Sequence, residues 1–298
     1  MSSTITGPIA PPTSGDRPAA CRVGDLMRGF SVEATMPGRA EIEALRGVLR
    51  PGSHVYLGAP PNHPPTRLIA VAGEVQAAGF VPVPHLAARA FASLAVLDDV
   101  VARLNGEAGV DRALVIAGDR NHPAGAFADA LALIRSDVLP RRGILEIGIA
   151  AYPDGHPTIA DNVLAAALNA KLDAALVRGL GVHIVTQFCF DAEQILGWLR
   201  RIRYTRIAVP VRIGIAGPAS MRGLLRYALR CGVRASLRGM RDPRAAQLVG
   251  DVTPDLLVHE LSDARALLNL EPLAVHVFSF GGLLHTARWA AAASGLAT

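Results

Sequence analysis

The length and composition of this chain exclude several classes of protein. Of its 298 residues, 51% are hydrophobic and 18% are charged, a balance that supports a large buried core and is unlike that of a disordered chain. The net charge is +5, but the arginines that carry most of the positive charge are scattered through helical patterns. We therefore expect solvated helix faces and no nucleic-acid interface, while a small anionic partner fits the charge.

Neither a membrane span nor a secretory signal is predicted. The richest apolar stretches, such as residues 163–177, are interrupted by polar residues, here Asn169, Lys171 and Asp173, and fall short of a bilayer span. Three cysteines without CxxC spacing indicate neither a disulfide framework nor a zinc site. The N-terminus lacks the basic start and apolar run of a signal peptide. We expect a flexible leader at 1–22 and one catalytic domain at 23–298 in a cytoplasmic protein.

Short apolar runs alternate along the chain with longer stretches of helical periodicity, a pattern typical of parallel strands joined by helices. The predicted strands are 30–36, 54–59, 81–86, 113–118, 146–151, 183–188, 207–215 and 274–280. The predicted helices are 40–49, 68–78, 95–104, 127–134, 162–177, 192–202 and 221–229. Before the eighth strand the pattern is less regular, with an insertion or short helix at 236–247 and a longer helix at 254–268.

Eight strand–helix units predict a single closed (βα)8 TIM barrel. An open doubly wound sheet, which shows the same alternation with fewer strands, is the alternative. The Gly-rich dinucleotide fingerprint and the GxxxxGK[ST] phosphate loop are both absent. The sequence therefore indicates no nucleotide-binding motif of the common kind.

Polar residues follow several of the predicted strands, which is where a barrel gathers its reactive groups. Glu33 stands among apolar residues in SVEATMP, where burial would resist ionisation and favour a general acid. The alternative is a structural partner of an arginine inside the barrel mouth. His85 follows strand three between prolines, and Gly118-Asp119 follows strand four. An imidazole there suits a phosphate or ring edge, and the Gly-Asp pair allows a ligand close to the backbone, although a plain histidine and a plain turn are the alternatives.

Strands five and six end in the most informative segments. AAYPDGHP contains Tyr152 and His156, an aromatic ring and an imidazole held between two prolines. TQFCFD places the amide of Gln187 among aromatic residues, which suits the reading of a heterocycle edge, unless Gln187 is a satisfied core residue.

In order along the chain, the glutamate of strand one, PHL, GD, AAYPxxHP and TQFxFD resemble the methylenetetrahydrofolate reductase family. The resemblance runs from about residue 30 to the C-terminal helix, and AYPDGHP and TQFCFD are its most specific parts. It implies a (βα)8 barrel that holds FAD and interconverts methylenetetrahydrofolate and methyltetrahydrofolate in one-carbon metabolism. NADH or NADPH usually supplies the hydride in that family. A folate substrate and a homo-oligomer are further implications.

The resemblance also implies roles for single residues. Glu33 matches the acid that protonates the folate as its five-membered ring opens, which requires a carboxyl group with a raised pKa. Asp119 matches the acid beside the flavin and pterin, and Gln187 matches the amide that reads the pterin. The positions that line FAD are matched by His85, Gly118, Asp119, Tyr152 and His156.

The chain departs from the family pattern at several positions. Ala117 replaces the arginine before the Gly-Asp pair, and Asn169 stands where charged FAD contacts are familiar, which indicates weaker FAD binding. Met221 stands where a phenylalanine often stacks on nicotinamide or folate. Residues 278–282, FSFGG, replace a polar Asn-Arg pair that holds the folate tail, so another residue such as Arg222 would have to bind it.

Two other classes of function stay open at this point. A metal-dependent hydrolase would need His85, His156, His183 and His276 to converge at one barrel face, although the first strand lacks an HxH pair. A barrel that binds folate or flavin without catalysis would follow from the missing polar features. Within the enzyme class, operation towards methylenetetrahydrofolate with an acceptor other than NAD+ is also open.

Overall fold

The computed structural model describes residues 19–60, 63–205, 209–233, 251–268, 270 and 272–295. Within them, eight parallel strands close into a barrel: β1 (Ser31–Thr35), β2 (His54–Gly58), β3 (Val81–Ala87), β4 (Arg112–Ile116), β5 (Glu146–Ala151), β6 (Gly181–Thr186), β7 (Val211–Ala216) and β10 (Leu273–Phe278). Their order around the barrel is β1-β10-β7-β6-β5-β4-β3-β2. A short antiparallel pair, β8 (Ala219–Ser220) and β9 (Asp251–Val252), lies outside the barrel. The predicted (βα)8 barrel is confirmed, and the open sheet is excluded.

Helices surround the barrel. They are α1 (Ala19–Met27), α2 (Arg39–Leu45), α3 (Pro65–Ala77), α4 (Leu94–Ala108), α5 (Ala130–Ile134), α6 (Val138–Arg141), α7 (Asp161–Val177), α8 (Ala192–Tyr204), α9 (Met221–Cys231), α10 (Asp255–Leu268) and α11 (Leu283–Ala293), with a 3₁₀ turn at Ala88–Ala90. The predicted segment 236–247 lies outside the described residues, as do residues 207–208 of the predicted seventh strand. None of the helices that the structure describes is long and apolar enough to cross a bilayer.

Helix α1 was not predicted from the sequence. It begins at Ala19, inside the segment expected to be a leader, and the side chains of Val23, Leu26 and Met27 are buried in the core. The helix packs against α10, α11 and β10. Residues 1–18 lie outside the described part of the chain, so the leader stays a prediction for them.

Side-chain caps explain where several helices begin. Ser93 accepts a hydrogen bond from the backbone N–H of Val96 at the start of α4, and Asp129 caps α5 in the same way. Asp191, the last residue of TQFCFD, accepts from the N–H groups of Glu193 and Gln194 and starts α8. Such caps satisfy N–H groups that have no partner within the helix. The aspartate of this motif therefore has a structural role.

The barrel has two cores of different character. The larger lies between the strands and the helices and is apolar. The smaller lies inside the barrel, where Tyr56, Val83, Leu114 and Val185 form one layer. Polar side chains lie above and below that layer, and Gly148 makes room for one of them, since a Cβ there would lie 2.9 Å from Nε2 of His183. The barrel interior is therefore filled partly by hydrogen-bonded polar groups, which a barrel of this size tolerates only when they are paired.

Candidate active site

Glu33 lies at the carboxyl end of the barrel interior between two imidazoles. In β1 it is in register with Tyr56 of β2 and Phe278 of β10. Its Oε2 lies 3.3 Å from Nε2 of His276 and 3.3 Å from Nε2 of His85. The side chain of Glu33 is 17% exposed, whereas that of His276 is fully buried. The partners of this carboxylate in the described structure are thus imidazoles, in place of the arginine that the structural alternative required.

The two imidazole contacts differ. His276 forms a hydrogen bond to Glu33. His85 is at the same distance, but its buried Nε2 has no hydrogen-bond partner within the described part of the chain. His85 was expected to line FAD. The structure places its Nε2 against the carboxylate of Glu33, and a contact of His85 with a cofactor stays a prediction.

The electrostatics of Glu33 correct one expectation. Burial raises the pKa of its carboxyl, but the charges and hydrogen-bonding groups of His85 and His276 together outweigh burial and lower that pKa from 4.5 to about 2. Burial lowers the pKa of His276. The sequence led us to expect a raised pKa for Glu33, which is wrong for the free site, because the strand pattern could not show that β3 and β10 each direct an imidazole towards it.

At the end of β4, Gly118 has φ +89°, and a Cβ on it would lie 2.8 Å from Cβ of Ala87. Only glycine fits this left-handed, crowded position. The next residue, Asp119, is exposed, and its charge adds to burial in raising the pKa of Tyr152. The Gly-Asp pair therefore brings a carboxylate to the mouth of the barrel near the β5 end.

Cys231, at the end of α9, is a partly buried residue that no sequence motif singled out. Burial, the charge of Asp119 and, to a smaller extent, that of Glu33 raise the pKa of its thiol to about 11, although Arg230 lowers it. The thiol is therefore within the electrostatic reach of both carboxylates. The thiol itself stays protonated and unreactive near neutral pH.

The end of β5 borders a large cavity of about 970 Å³. Tyr152, Asn169 and Lys171 line it together with Trp198 of α8. The ring of Tyr152 packs edge-on against His156 at 5.3 Å between centroids. A cavity of this volume suits a large organic ligand. Two of the predicted cofactor positions, Tyr152 and Asn169, thus share one cavity, but none of its lining residues belongs to the Glu33 cluster.

Gln187 follows β6, and its backbone N–H donates to the carbonyl of Ala151. Its side-chain Oε1 accepts a hydrogen bond from the N–H of Phe188 at 3.0 Å. The acceptor of the amide is therefore engaged within the chain, which leaves its –NH2 group as the part that could donate to a ligand.

Comparison with known families decides the affiliation of the chain. The sequence profile of Methylenetetrahydrofolate reductase matches residues 64–236, which is more than half of the 298 residues. The chain belongs to the methylenetetrahydrofolate reductase family. Among the predicted site residues, those from His85 to Met221 fall inside the matched region, whereas Glu33 lies outside it.

A curated relative agrees with this affiliation over a shorter stretch. The chain is 29% identical over 153 residues to a 5,10-methylenetetrahydrofolate reductase of Pectobacterium carotovorum subsp. carotovorum. The alignment covers 48% of this chain and 49% of that enzyme, so the chain matches only about half the length of this relative.

Two solved structures share the fold. One is an uncharacterized protein from Clostridium thermocellum that binds two copies of 5-methyl-5,6,7,8-tetrahydrofolic acid, with a TM-score of 0.62, 12% identity, and coverage of 91% of this chain and 96% of that one. The other is dihydropteroate synthase from Thermus thermophilus, with a TM-score of 0.50, 20% identity, and coverage of 90% and 91%. At these identities the likeness concerns the barrel alone.

This member of the methylenetetrahydrofolate reductase family has an aromatic cluster where the family pattern has polar residues. Phe280 stacks on Tyr227 of α9 at 4.2 Å between ring centroids and packs against Phe188 at 4.8 Å. Phe190 and Phe278 complete the cluster. The FSFGG segment is therefore used to pack α9 over the barrel. The pairs of phenylalanines in FCF and FSF were the available signal, and their packing was not predicted.

Met221 is the first residue of α9 and is partly buried, with Ser220 capping the helix through a hydrogen bond from the N–H of Gly223. The structure thus places Met221 at the start of the helix whose later residues pack on the aromatic cluster. Its proposed role towards nicotinamide or folate stays a prediction.

The four histidines of the hydrolase alternative lie in three different environments. His85 and His276 flank Glu33, His183 bonds to Glu146, and His156 packs on Tyr152. Among the described residues, no group of three or more His, Cys, Asp or Glu side chains is placed to hold a metal ion. The convergence that a metal-dependent hydrolase requires is not found among these residues.

Proposed function

We propose that this protein is a flavin-dependent reductase that interconverts 5,10-methylenetetrahydrofolate and 5-methyltetrahydrofolate, with Glu33 as the group that transfers the proton. The observation that carries this proposal is a mostly buried carboxylate at the mouth of the barrel in a chain of the methylenetetrahydrofolate reductase family. The carboxylate is flanked by two imidazoles and by no arginine among the described residues. An imidazole loses its charge near neutral pH, so the charge of this carboxylate is not held by a permanent cation.

The residues at the β4 and β5 ends fit FAD. Tyr152 and Asn169 line the 970 Å³ cavity, His156 packs on Tyr152, and Gly118 follows the neighbouring strand β4. These residues, with His85, would hold the cofactor. When bound, FAD would supply the carrier that gives or takes the hydride.

Glu33 would act on the folate. In the reductive direction its carboxyl gives a proton to the amine nitrogen as the bond between that nitrogen and the methylene carbon breaks. In the opposite direction the nitrogen re-forms this bond and its proton passes to the carboxylate. The low pKa of Glu33 in the free site suits the second direction directly. For reduction, the carboxyl must gain its proton as the substrate binds and displaces water.

Asp119 and Gln187 would complete the substrate side. The charge of Asp119 acts at the mouth, as its effect on the pKa of Tyr152 and Cys231 indicates. The amide –NH2 of Gln187 would donate to the pterin, since its oxygen is already bonded to the N–H of Phe188. NADH or NADPH as electron donor and a homo-oligomeric state stay predictions from the resemblance.

Binding without turnover is the second candidate. The Clostridium thermocellum protein of the same fold binds two copies of 5-methyl-5,6,7,8-tetrahydrofolic acid, and here Phe280 occupies the aromatic cluster at the position of a polar pair in the family. A folate-binding barrel without chemistry would retain affinity for methyltetrahydrofolate and leave flavin oxidised.

An anaerobic absorbance titration separates the two candidates. The full chain is reconstituted with FAD and titrated with methyltetrahydrofolate, then in separate samples with NADH and NADPH. Bleaching of the flavin by the folate supports the reductase, and bleaching by folate but by neither nicotinamide indicates another electron partner. Folate binding without bleaching supports the binding protein, and absence of flavin binding overturns the flavoenzyme proposal.

A further inference from the structure

A chain of hydrogen bonds runs from Glu33 down through the barrel interior. Oε2 of Glu33 meets Nε2 of His276 at 3.3 Å, and Nδ1 of the same ring meets Oγ of Ser31 at 2.9 Å. The guanidinium of Arg212 reaches Oγ of Ser31 at 3.5 Å and donates to the carbonyl of Gly29 at 3.0 Å. Ser31 and His276 are buried at 1% and 0% exposure. These hydrogen bonds thus connect the mouth of the barrel with the amino-terminal end of β7.

The chemistry of these groups determines which atom donates and which accepts in each hydrogen bond. A carboxylate only accepts, so Nε2 of His276 must carry the proton in its bond to Glu33. Burial lowers the pKa of His276, which favours the neutral ring, and a neutral ring has a single N–H. Nδ1 is therefore an acceptor, and the hydroxyl of Ser31 must donate to it. The guanidinium of Arg212 only donates, so it occupies a lone pair of Ser31 and is compatible with that orientation.

Neighbouring rings keep His276 in place. Tyr56 packs against it at 4.5 Å between centroids and Phe278 at 4.9 Å, both at steep angles. The tautomer and the plane of His276 are thus set by separate contacts. As a result, Oε2 of Glu33 is held towards the imidazoles. Oε1 points towards Gly58, which has no side chain; a Cβ on that residue would lie 3.8 Å from Oε1.

We propose that Ser31, supported by Arg212, is a positioning residue for proton transfer: it fixes the tautomer of His276, which holds Oε2 of Glu33 and leaves Oε1 to exchange the proton with the folate. The proposal rests on the proposed role of Glu33. The transfer itself breaks an O–H bond at Oε1 and forms an N–H bond on the folate amine, or the reverse. Ser31, His276 and Arg212 keep their own protons throughout.

The tautomer is measured directly on the flavin-free full chain by long-range ¹H–¹⁵N correlation spectra of the histidine rings. His276 is expected to carry its proton on Nε2 in the wild type and to lose this single tautomer in Ser31→Ala. Ser262→Ala is the matched control, because Ser262 is a buried serine on α10 whose hydroxyl bonds the carbonyl of His259. A wild-type ring protonated on Nδ1, or an unchanged tautomer in Ser31→Ala, overturns the proposal.

The rate of single-turnover flavin reduction by methyltetrahydrofolate tests the functional consequence of the proposal. Ser31→Ala is expected to slow this step roughly tenfold, a fraction of what a general acid–base group contributes, with unchanged folate affinity. His276→Gln, which keeps an N–H donor for Glu33, should retain more rate than His276→Phe. Equal rates in these two variants, or a wild-type rate in Ser31→Ala, contradict the proposal.

Glu33→Gln separates a failure of the positioning role of Ser31 from a failure of the proposed role of Glu33. If Glu33→Gln loses the rate while Ser31→Ala keeps both rate and tautomer, only the positioning role fails. If Glu33→Gln keeps the wild-type rate, the proposed role of Glu33 fails and the positioning role in proton transfer fails with it.

Discussion

The barrel interior contains a similar hydrogen-bonded relay at each of its two ends, and the relays differ in the second side chain that contacts the carboxylate. At the mouth, Glu33 is bonded to His276, whose other nitrogen meets the hydroxyl of Ser31. At the amino-terminal end, Glu146 accepts from Nδ1 of His183 at 2.6 Å, and Nε2 of that ring meets the hydroxyl of Tyr56 at 2.7 Å. Each relay joins a carboxylate, an imidazole and a hydroxyl.

The second side-chain partner of each carboxylate distinguishes the two ends of the barrel. Glu146 also pairs with Arg112 at 3.4 Å, and its pKa is lowered to about 2, chiefly by the hydrogen bond from His183 against the effect of burial. Glu33 reaches a similar pKa, but the remaining neighbour is His85, whose Nε2 lacks a hydrogen-bond partner in the described structure. Arginine keeps its charge at any accessible pH, whereas an imidazole does not. A carboxylate beside arginine is therefore fixed in charge, and one between imidazoles can exchange a proton.

The sharpest contrast is expected in catalysis. Glu33→Gln should lower the rate of flavin reduction by methyltetrahydrofolate by roughly a hundredfold or more, the scale of a general acid or base, while retaining flavin. Glu146→Gln removes the same charge from the end of the barrel away from the proposed proton transfer and should change the rate by less than about threefold, well below the loss expected of a general acid or base. Stopped-flow measurements under anaerobic conditions provide both rates. A comparable loss of rate in the two variants would show that Glu33 and Glu146 do not differ in their contribution to catalysis.

The relay at the amino-terminal end should also contribute to the stability of the fold. Glu146→Gln leaves Arg112, Arg212 and His54 close together with Asp111 as the remaining carboxylate partner of Arg112. We expect the free energy of unfolding to fall by about 1–2 kcal/mol, allowing for the partial exposure of Glu146. Urea unfolding followed by circular dichroism at pH 7 measures this change. A midpoint equal to that of the wild type would show that the relay at the amino-terminal end does not stabilise the fold.

Acid should weaken the fold in two stages. Burial lowers the pKa of His183 and His276, and burial together with Arg212 and Arg112 lowers that of His54 to about 4. Because the unfolded chain then binds more protons, stability falls as the pH drops below 6.5. Glu33 and Glu146 stabilise the fold above pH 4.5, and that contribution is lost as the pH falls towards about 2.

Unfolding free energies measured at successive pH values between 7 and about 3 test this dependence. Glu146→Gln should reduce the slope in the lower range, below the ordinary pKa of a glutamate, because the carboxylate that is protonated there is absent. A stability that rises on acidification would contradict the lowered pKa values.

The smallest expected effect uses Cys231 as a reporter of charge at the mouth. Asp119 and Glu33 both contribute to its raised pKa, so Asp119→Asn and Glu33→Gln should each speed its alkylation at pH 9 by about twofold to fivefold. Glu146→Gln should leave the rate unchanged. Peptide mapping by mass spectrometry resolves Cys231 from the other cysteines, and an equal response to all three variants would show that the thiol does not report on the mouth.

The chain order of apolar runs was sufficient to predict the barrel and nearly all of its elements. Alternation with a period of two or 3.6 residues depends on local sequence, so β5 begins and ends where predicted and α7 differs by one residue. Helix α1 was missed because its apolar residues pack on α10, α11 and β10, far away in sequence. The motifs likewise carried the family affiliation, which the match over residues 64–236 confirms.

The sequence by itself therefore determined the fold, the family and the candidates Glu33, Asp119 and Gln187. Only the tertiary structure decided the surroundings of Glu33, because His85 and His276 come from strands that lie more than fifty residues and more than two hundred residues away along the chain. Apolar neighbours in sequence predicted a raised pKa, but the pKa of a carboxyl depends on the groups within a few ångströms in space. The closure of the barrel brings two imidazoles within that distance, and it reverses the sign of the effect.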